Sequence, residues 1–183
     1  MPSIGILIAF ATTEGQTRKI ARFAADHRTG LGASVELLNA EDAEGLNLAR
    51  FDGVILAASL HMGHFQKALI GFAKANGAAL TARPSLFLPV SLSAVGDDDA
   101  GRKGLEDCVA QFVTETLWRP GQIRQVAGAL HFKEYDFFKA CMMRRIAASK
   151  GKALGAGGDM DYTDWPGLEA GLTAWQVALK SGC

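Results

Sequence analysis

Hydroxyl-bearing residues cluster directly after the first apolar run of the chain. Residues 11–17 read ATTEGQT and precede a segment with helical spacing. Hydroxyls donate hydrogen bonds without adding charge, and a helix N-terminus presents unpaired N–H groups. The loop therefore suits a monophosphate held by Thr12, Thr13 and Thr17, with Gly15 allowing close backbone approach. Neither GxGxxG nor a Gly-Lys-Ser/Thr ending is present, and the alternative is that these threonines only cap the helix.

Two further loops carry polar residues after apolar runs. Residues 58–65 read ASLHMGHF, and residues 91–96 read SLSAVG. Loops of this size can cover the two faces of a flat aromatic ligand. His61 and His64 are candidates for proton transfer near neutral pH, or else they only cap and stack. The acidic run 97–99 is expected to be a solvated helix start, because contiguous carboxylates rarely converge on one metal ion.

Alternating elements must position these loops. Short, two-sided apolar runs predict parallel strands buried on both faces, at Ile4–Phe10, Ser34–Leu38, Gly53–Ala58, Ser85–Val90 and Gln122–Leu130. Helical spacing predicts helices at Gln16–His27, Lys67–Ala75, Leu105–Leu117 and Pro166–Leu179. This alternation predicts a doubly wound α/β sheet, which binds ligands beyond the carboxyl ends of its strands.

Composition excludes several classes of protein. The 183 residues, 49% hydrophobic and 21% charged, predict a single globular domain over 1–183. The 19 basic residues balance 19 acidic ones, which excludes a globally basic nucleic-acid binder. The three cysteines form no CxxC pair, so neither a disulfide framework nor a metal site is expected. No apolar run reaches the roughly 18 residues of a membrane span, and a cytoplasmic location is expected.

An insert is expected at about residues 131–160. Within it, residues 133–152 hold six basic and two acidic residues, a local charge of +4. Aromatic and aliphatic residues recur there at rough helical spacing, at Tyr135, Phe138, Met142 and Ile146. The segment suits an anionic membrane surface or an apolar ligand with carboxylates. The alternative is a helix whose bases are simply solvated.

Five motifs together resemble one known family. They are FATTEGQT at 10–17, AASLHMGH at 57–64, WRP at 118–120, AGAL at 127–130 and YTDW at 162–165. They are similar to the flavodoxin-type, quinone-dependent protoporphyrinogen IX dehydrogenase (oxidase) family, over nearly the whole chain. The combination of WRP, AGAL and YTDW is more specific than the first loop alone.

The resemblance implies a flavodoxin-like fold, a doubly wound parallel five-stranded sheet of order 2-1-3-4-5, and one bound FMN. It implies oxidation of protoporphyrinogen IX to protoporphyrin IX in heme biosynthesis, with electrons passed to a quinone such as menaquinone or ubiquinone. Residues 133–152 would contact either the inner face of the cell membrane or the substrate, and no nucleic acid is implied.

The resemblance also assigns residues by position. The phosphate would be held by Thr12, Thr13, Glu14, Gly15, Gln16 and Thr17. The isoalloxazine would be flanked by Ser59, Leu60, His61, Met62 and Gly63, and by Val90, Ser91, Leu92, Ser93 and Ala94. His64 is the candidate for proton handling, and Arg119 for pairing with a propionate.

Three other functions remain open on this fold. They are a one-electron flavodoxin-like carrier, an NAD(P)H:quinone reductase and a degenerate domain that no longer binds flavin. Carriers of this type are usually acidic, whereas this chain is neutral with a basic insert.

Overall fold

The computed structural model describes residues 3–94, 99–130 and 160–181. The strands are β1 Gly5–Ala11, β2 Ser34–Asn39, β3 Gly53–His61, β4 His64–Phe65, β5 Ser85–Ser91, β6 Gln122–Ile123, β7 Val126–Ala127, β8 Ala129–Leu130 and β9 Met160–Asp161. The helices are α1 Gln16–Gly30, α2 Lys67–Thr81, α3 Asp99–Thr116 and α4 Trp165–Ser181. Short 3₁₀ turns lie at Ala40–Asp42, Leu48–Arg50 and Leu92–Ala94.

The main sheet is parallel, in the order β2-β1-β3-β5-β6, with β7 also on β5. This confirms the predicted order, with β5 as the fourth strand and β6 and β7 together as the fifth. Ile8 of β1 lies between Leu37 and Ile55, and Leu56 pairs with Phe87. The carboxyl ends of β1, β3 and β5 therefore meet at one edge.

The region after the third strand is a hairpin, so the prediction of a loop at 58–65 was wrong. β3 continues to His61 and returns through Met62 and Gly63 into β4, with Leu60 paired to Phe65. Both turn residues have positive φ, 49° at Met62 and 81° at Gly63, as a type I′ turn requires. The apolar run ends at Ala58, which hid the strand's continuation.

The fifth strand is shorter and more broken than predicted. The expected run Gln122–Leu130 divides into β6 and β7 on β5, and then β8, which pairs antiparallel with β9. The helices extend beyond the predicted bounds, α2 by six residues to Thr81. Asp99 begins α3, in agreement with the expected helix start. The expected insert at 131–160 lies outside the described residues except for its last residue, and segment 133–152 lies entirely outside them.

Two cores fill the two faces of the sheet. One is rich in aromatic rings, with Phe87 stacked on Phe112 at 4.8 Å between centroids and Trp118 edge-on to both. The other packs α1 and α4 through Ile20, Leu172 and Trp175. No helix within 16–30, 67–81, 99–116 or 165–181 is long and apolar enough to cross a bilayer.

Candidate functional site

A cleft opens at the carboxyl edge of the sheet, where the three predicted loops meet. Its empty volume is about 460 Å³. Its lining comes from the ends of β1, β3 and β5, the start of α1, and the chain after β7: Thr12, Thr13, Glu14, Gln16, Thr17, Ser59, Leu60, His61, Val90, Ser91, Leu92, Gly128 and Ala129. In the part of the chain that the structure describes, no lysine or arginine lines this cleft.

The first turn of α1 is open at its N-terminus. Gly15 is the N-cap residue with φ of 90°, a conformation that favours glycine, and its N–H donates to Thr12 Oγ1 at 2.9 Å. The N-cap residue supplies no side-chain cap, and the first turn contains no acidic residue. Thr12 accepts from an N–H at the helix start, whereas Thr13 bonds to Gln66 and Thr17 has no partner among the described residues, so capping explains only one of the three threonines. The positive end of α1 faces the cleft, where an anion would be stabilised.

Two buried hydroxyl groups in the cleft lack partners. Thr17 is 0% exposed and Ser91 is 5% exposed. Neither Thr17 Oγ1 nor Ser91 Oγ has a hydrogen-bond partner among the residues that the structure describes. A buried unsatisfied polar group costs about 1–3 kcal/mol. A ligand acceptor at the start of α1 removes that cost at Thr17, so the donor set fits a phosphate monoester.

One side of the cleft is lined by Ser59, Leu60 and His61; together with Gln66, which bonds to Ser59 but is not part of the lining, they are called the hairpin wall. Gln66 precedes α2, and its Nε2 donates to Thr13 Oγ1 at 3.0 Å and also to Ser59 Oγ. These bonds join neutral groups and connect the phosphate loop to the hairpin. They fix the distance between the first two of the three loops.

On the other side Gln16 lines the cleft and is joined to Lys19, Asp161 and Thr163, which are not part of the lining; these four residues are called the Asp161 wall. Asp161 Oδ1 accepts from Gln16 Nε2 and from the Thr163 N–H, each at 3.0 Å. Asp161 Oδ2 accepts from Lys19 Nζ at 2.6 Å. Gln16 Nε2 also donates to Thr163 Oγ1 at 2.8 Å, and that hydroxyl donates to Ala127 O at 2.8 Å. The Asp161 carboxylate thus joins α1 to the chain that enters α4, beside the direct bond between Gln16 and Thr163.

The environment of Asp161 favours its charged form. Partial burial alone raises the pKa of this carboxyl, but the hydrogen bonds from Lys19 and Thr163 and the Lys19 charge outweigh it. The pKa of Asp161 therefore lies below its ordinary value of 3.8. Burial raises the pKa of the neighbouring Tyr162 phenol.

Some predicted cofactor residues lie beside the cleft rather than in its lining. Gly15 shapes the phosphate loop, and Met62 and Gly63 form the tip of the hairpin, where Met62 is 82% exposed. Ala94 packs against the aromatic core. Ser93 lies in the short 3₁₀ turn after β5. The other predicted cofactor residues line the cleft directly.

Neither candidate catalytic residue lines the cleft. His64 is exposed on β4, directly opposite His61, which does line it. The Arg119 N–H contacts Thr81 Oγ1 at 3.3 Å, and Gly121 N contacts Ser85 Oγ at 3.0 Å. Ser85 begins β5 and Ser91 ends it, a distance of about 20 Å along the strand. Arg119 thus lies at the edge of the sheet away from the cleft, a position that does not support its pairing with a propionate there.

Sequence reasoning missed five residues of the site, which are Gln66, Gly128, Ala129, Asp161 and Thr163. Gly128 and Ala129 fall in the AGAL motif, and Thr163 falls in YTDW, where it was weighed with Asp164 only as a helix cap. Asp164 is the cap, because its Oδ1 accepts from Gly167 N at 3.0 Å. Gln66 and Asp161 stand outside any motif.

Comparisons with known proteins agree with this geometry. A family profile described as a flavodoxin domain matches residues 7–154. The chain is 30% identical over 159 residues to protoporphyrinogen IX dehydrogenase [quinone] of Escherichia coli K12, covering 87% of each chain. It is 29% identical to the protein of that name from Leishmania major, covering 87% of this chain and 69% of the relative. Oxidised flavodoxin 2 from Bacillus cereus superposes with a TM-score of 0.52 at 18% identity, over 78% of this chain and 96% of that one.

Proposed function

Because this chain belongs to the flavodoxin-domain family of quinone-dependent protoporphyrinogen IX dehydrogenases, we propose that it oxidises protoporphyrinogen IX to protoporphyrin IX and reduces a quinone. Similarity over 87% of both chains supports this activity over the other functions of the fold. The enzyme is an oxidoreductase with FMN as its cofactor. When bound, FMN supplies two-electron redox chemistry that protein side chains lack.

The observation that carries the proposal is the buried Thr17 hydroxyl at the open N-terminus of α1, which has no partner among the described residues. We assign the phosphate to the backbone N–H groups of this turn and to the hydroxyls of Thr12, Thr13 and Thr17. Gly15 and Gln16 shape the turn. Glu14 is exposed at the rim of the cleft, so its carboxylate can remain in solvent beside the phosphate.

The ring system is assigned to the space between the hairpin and the end of β5. Ser59, Leu60 and His61 form one side, and the other is formed by Val90, Ser91 and Leu92. Both sides are neutral and partly apolar, which suits a flat aromatic ring. Ser91 Oγ, buried and without a partner in the described residues, is available to a polar atom at the edge of the ring.

Proton handling is assigned to His61 in preference to His64. His61 belongs to the cleft lining, whereas His64 is exposed outside it. An imidazole ring has two nitrogens and can both accept and donate a proton. His64 faces His61 across the hairpin and can relay that proton to water.

The direct test is anaerobic mixing of the FMN-loaded protein with protoporphyrinogen IX. We expect the oxidised flavin absorption to bleach, porphyrin to appear, and a soluble quinone to restore the flavin absorption. Bleaching by NADPH but not by the porphyrinogen contradicts the proposal in favour of an NAD(P)H:quinone reductase. An unbleached flavin with both donors favours an electron carrier, and a protein that remains colourless with added FMN is a degenerate domain.

Contact with the membrane through residues 133–152 is a separate part of the proposal. We place this segment in an insert, about 131–160, of a single domain over 1–183. Its +4 charge and its aromatic residues support contact with an anionic surface, where lipid-soluble quinones reside. We expect the protein to sediment with phosphatidylglycerol vesicles and not with phosphatidylcholine vesicles. Equal partitioning, or none, contradicts the membrane role and favours a substrate role for the segment.

A further inference from the structure

The Asp161 carboxylate gathers three donors from two distant parts of the chain. Gln16 and Lys19 lie on the first turn of α1, and Thr163 lies just before α4. The Lys19 ammonium is also 5.0 Å from the centre of the Trp165 ring. The contact between α1 and the chain leading into α4 at this end is therefore organised around one side chain.

Asp161 is also connected through the backbone to residues that line the cleft. It pairs with Ala129 across β8 and β9, and the Tyr162 N–H donates to Gly128 O at 3.1 Å. Gly128 and Ala129 line the cleft on this side. Displacing Asp161 would therefore move the first turn of α1 relative to the backbone that faces it.

Lys19 explains why a carboxylate is required here. A cation in the first turn of a helix is unfavourable, because the helix dipole places positive charge at that end. Asp161 balances the Lys19 charge from outside the helix and leaves the N–H groups of the turn open to the cleft. An acidic residue within the first turn would instead compete with a bound phosphate for those groups.

We propose that Asp161 is a positioning residue for the cofactor phosphate, which orients Gln16 and the first turn of α1 without touching the phosphate itself. The inference rests on the proposed function, because it takes FMN as the ligand of the cleft. Geometry supports it, because three hydrogen bonds converge on the Asp161 carboxylate at the rim of the site.

A positioning role and a purely electrostatic role of Asp161 predict opposite changes in FMN affinity when its charge is removed. Asp161 places a negative charge near a phosphate dianion, so a purely electrostatic role means that removing the charge strengthens FMN binding. A positioning role means that its removal weakens FMN binding. The FMN dissociation constant of an Asp161 variant therefore separates the two roles.

The test compares Asp161→Ala and Asp161→Asn with Asp26→Asn by fluorescence titration of apoprotein with FMN and with riboflavin. We expect the Kd for FMN to rise about tenfold in Asp161→Ala and about threefold in Asp161→Asn, whose amide oxygen still accepts from Gln16. Because riboflavin lacks the phosphate, its Kd stays within about twofold of the wild-type value. Asp26 is an exposed carboxylate on α1 that makes no hydrogen bond or ion pair among the described residues, so Asp26→Asn should leave both constants unchanged.

Tighter FMN binding by the Asp161 variants overturns the proposal, as does an equal loss for FMN and riboflavin, which indicates general loosening of the fold. Urea denaturation of the apoproteins shows whether each variant remains folded before titration. If the wild-type protein does not bind FMN, the proposed function is wrong. If it binds FMN, but no better than Asp161→Ala does, only the role of Asp161 is wrong.

Discussion

The two walls of the cleft are held by different physical interactions. The hairpin wall uses neutral hydrogen bonds from Gln66 to the hydroxyls of Thr13 and Ser59. The Asp161 wall uses a charged carboxylate that accepts from Lys19, Gln16 and Thr163. Neutral bonds are insensitive to salt, whereas an ion pair with side chains 60% and 31% exposed is screened by it. Ionic strength can therefore weaken the hydrogen bonds on one side of the cofactor site and leave those on the other side unchanged.

The walls also differ in how far apart their residues lie in the chain. The two bonds from Gln66 in the hairpin wall span 7 residues to Ser59 and 53 residues to Thr13. Lys19 and Asp161 are 142 residues apart. Closing a contact over the longer separation costs more chain entropy, so the Asp161 wall depends more on the rest of the fold.

The largest expected effect comes from Thr17, the buried residue at the start of α1 to which the phosphate is assigned. Thr17→Val removes a buried hydroxyl while nearly preserving shape. We expect the Kd for FMN to rise by about tenfold to a hundredfold, because a hydrogen bond to a charged group contributes about 1.5–3 kcal/mol. The apoprotein should become no less stable in urea, since that hydroxyl has no partner in the described residues. A stability loss equal to the affinity loss contradicts the assignment.

The second-largest effect is expected from removing the hydrogen bonds of the hairpin wall. Gln66→Leu removes both bonds from the amide and leaves a side chain of similar size. The Kd for FMN should rise about tenfold, by the same factor at low and at high salt, because no charge is lost. Fluorescence titration at two ionic strengths checks this. A loss that disappears at high salt indicates that the two walls do not differ as described.

Acid should weaken the hydrogen bonds to the Asp161 carboxylate and leave the neutral bonds made by Gln66 unchanged. The pKa of Asp161 is lowered in the folded protein, so its stabilising contribution is full above 3.8, its ordinary value, and is lost as pH falls through the lower folded value. We expect an acid loss of stability, below about pH 3.8, that is smaller in Asp161→Asn than in the wild type. Urea unfolding between pH 3 and pH 7 measures it. An identical acid profile in both proteins contradicts the role given to this carboxylate.

A smaller effect is expected from the ion pair by itself. Lys19→Met removes the charge opposite Asp161, and with it the cation–π contact on Trp165, while it leaves an unbranched apolar side chain. An exposed pair contributes about 0.5 kcal/mol, so the Kd for FMN should change no more than about threefold at low salt and less at high salt. Gln66→Leu, measured in parallel, serves as the salt-insensitive reference.

The smallest effect concerns the tip of the hairpin. Met62 adopts φ of 49°, a conformation unfavourable for a bulky side chain, in a turn that favours Asn followed by Gly. Met62→Asn should stabilise the apoprotein by about 0.5 kcal/mol, measured by urea denaturation. Destabilisation means that the exposed Met62 side chain makes a contact that the hairpin requires.

Much of the fold could be predicted because it depends on local patterns. Buried parallel strands appear as continuous apolar runs, and four of them were found within three residues of their observed ends. The continuation of β3 to His61 was missed because Ser59 and His61 interrupt the apolar pattern while the backbone still pairs. The fifth strand was predicted too long because pairing with β9, rather than side-chain pattern, determines where β8 leaves the sheet.

The site was predictable only where its residues are clustered in sequence. The hydroxyls at positions 12–17 stand together before a helix, and this pattern has a physical meaning for anions. Asp161 carries no such signal, because its role depends on Lys19, far away in the chain. Arg119 was chosen within the WRP motif, which packs Trp118 in the aromatic core at the other end of β5. A motif can thus mark the family and lie outside the site.

The most direct test of the central claim is a crystal structure of this protein with FMN. We predict that the phosphate lies at the first turn of α1, within hydrogen-bond distance of Thr17 Oγ1 and the N–H groups that follow Gly15. The ring should lie between His61 and the end of β5. A phosphate bound elsewhere, or a Thr17 hydroxyl still without a partner, contradicts the account.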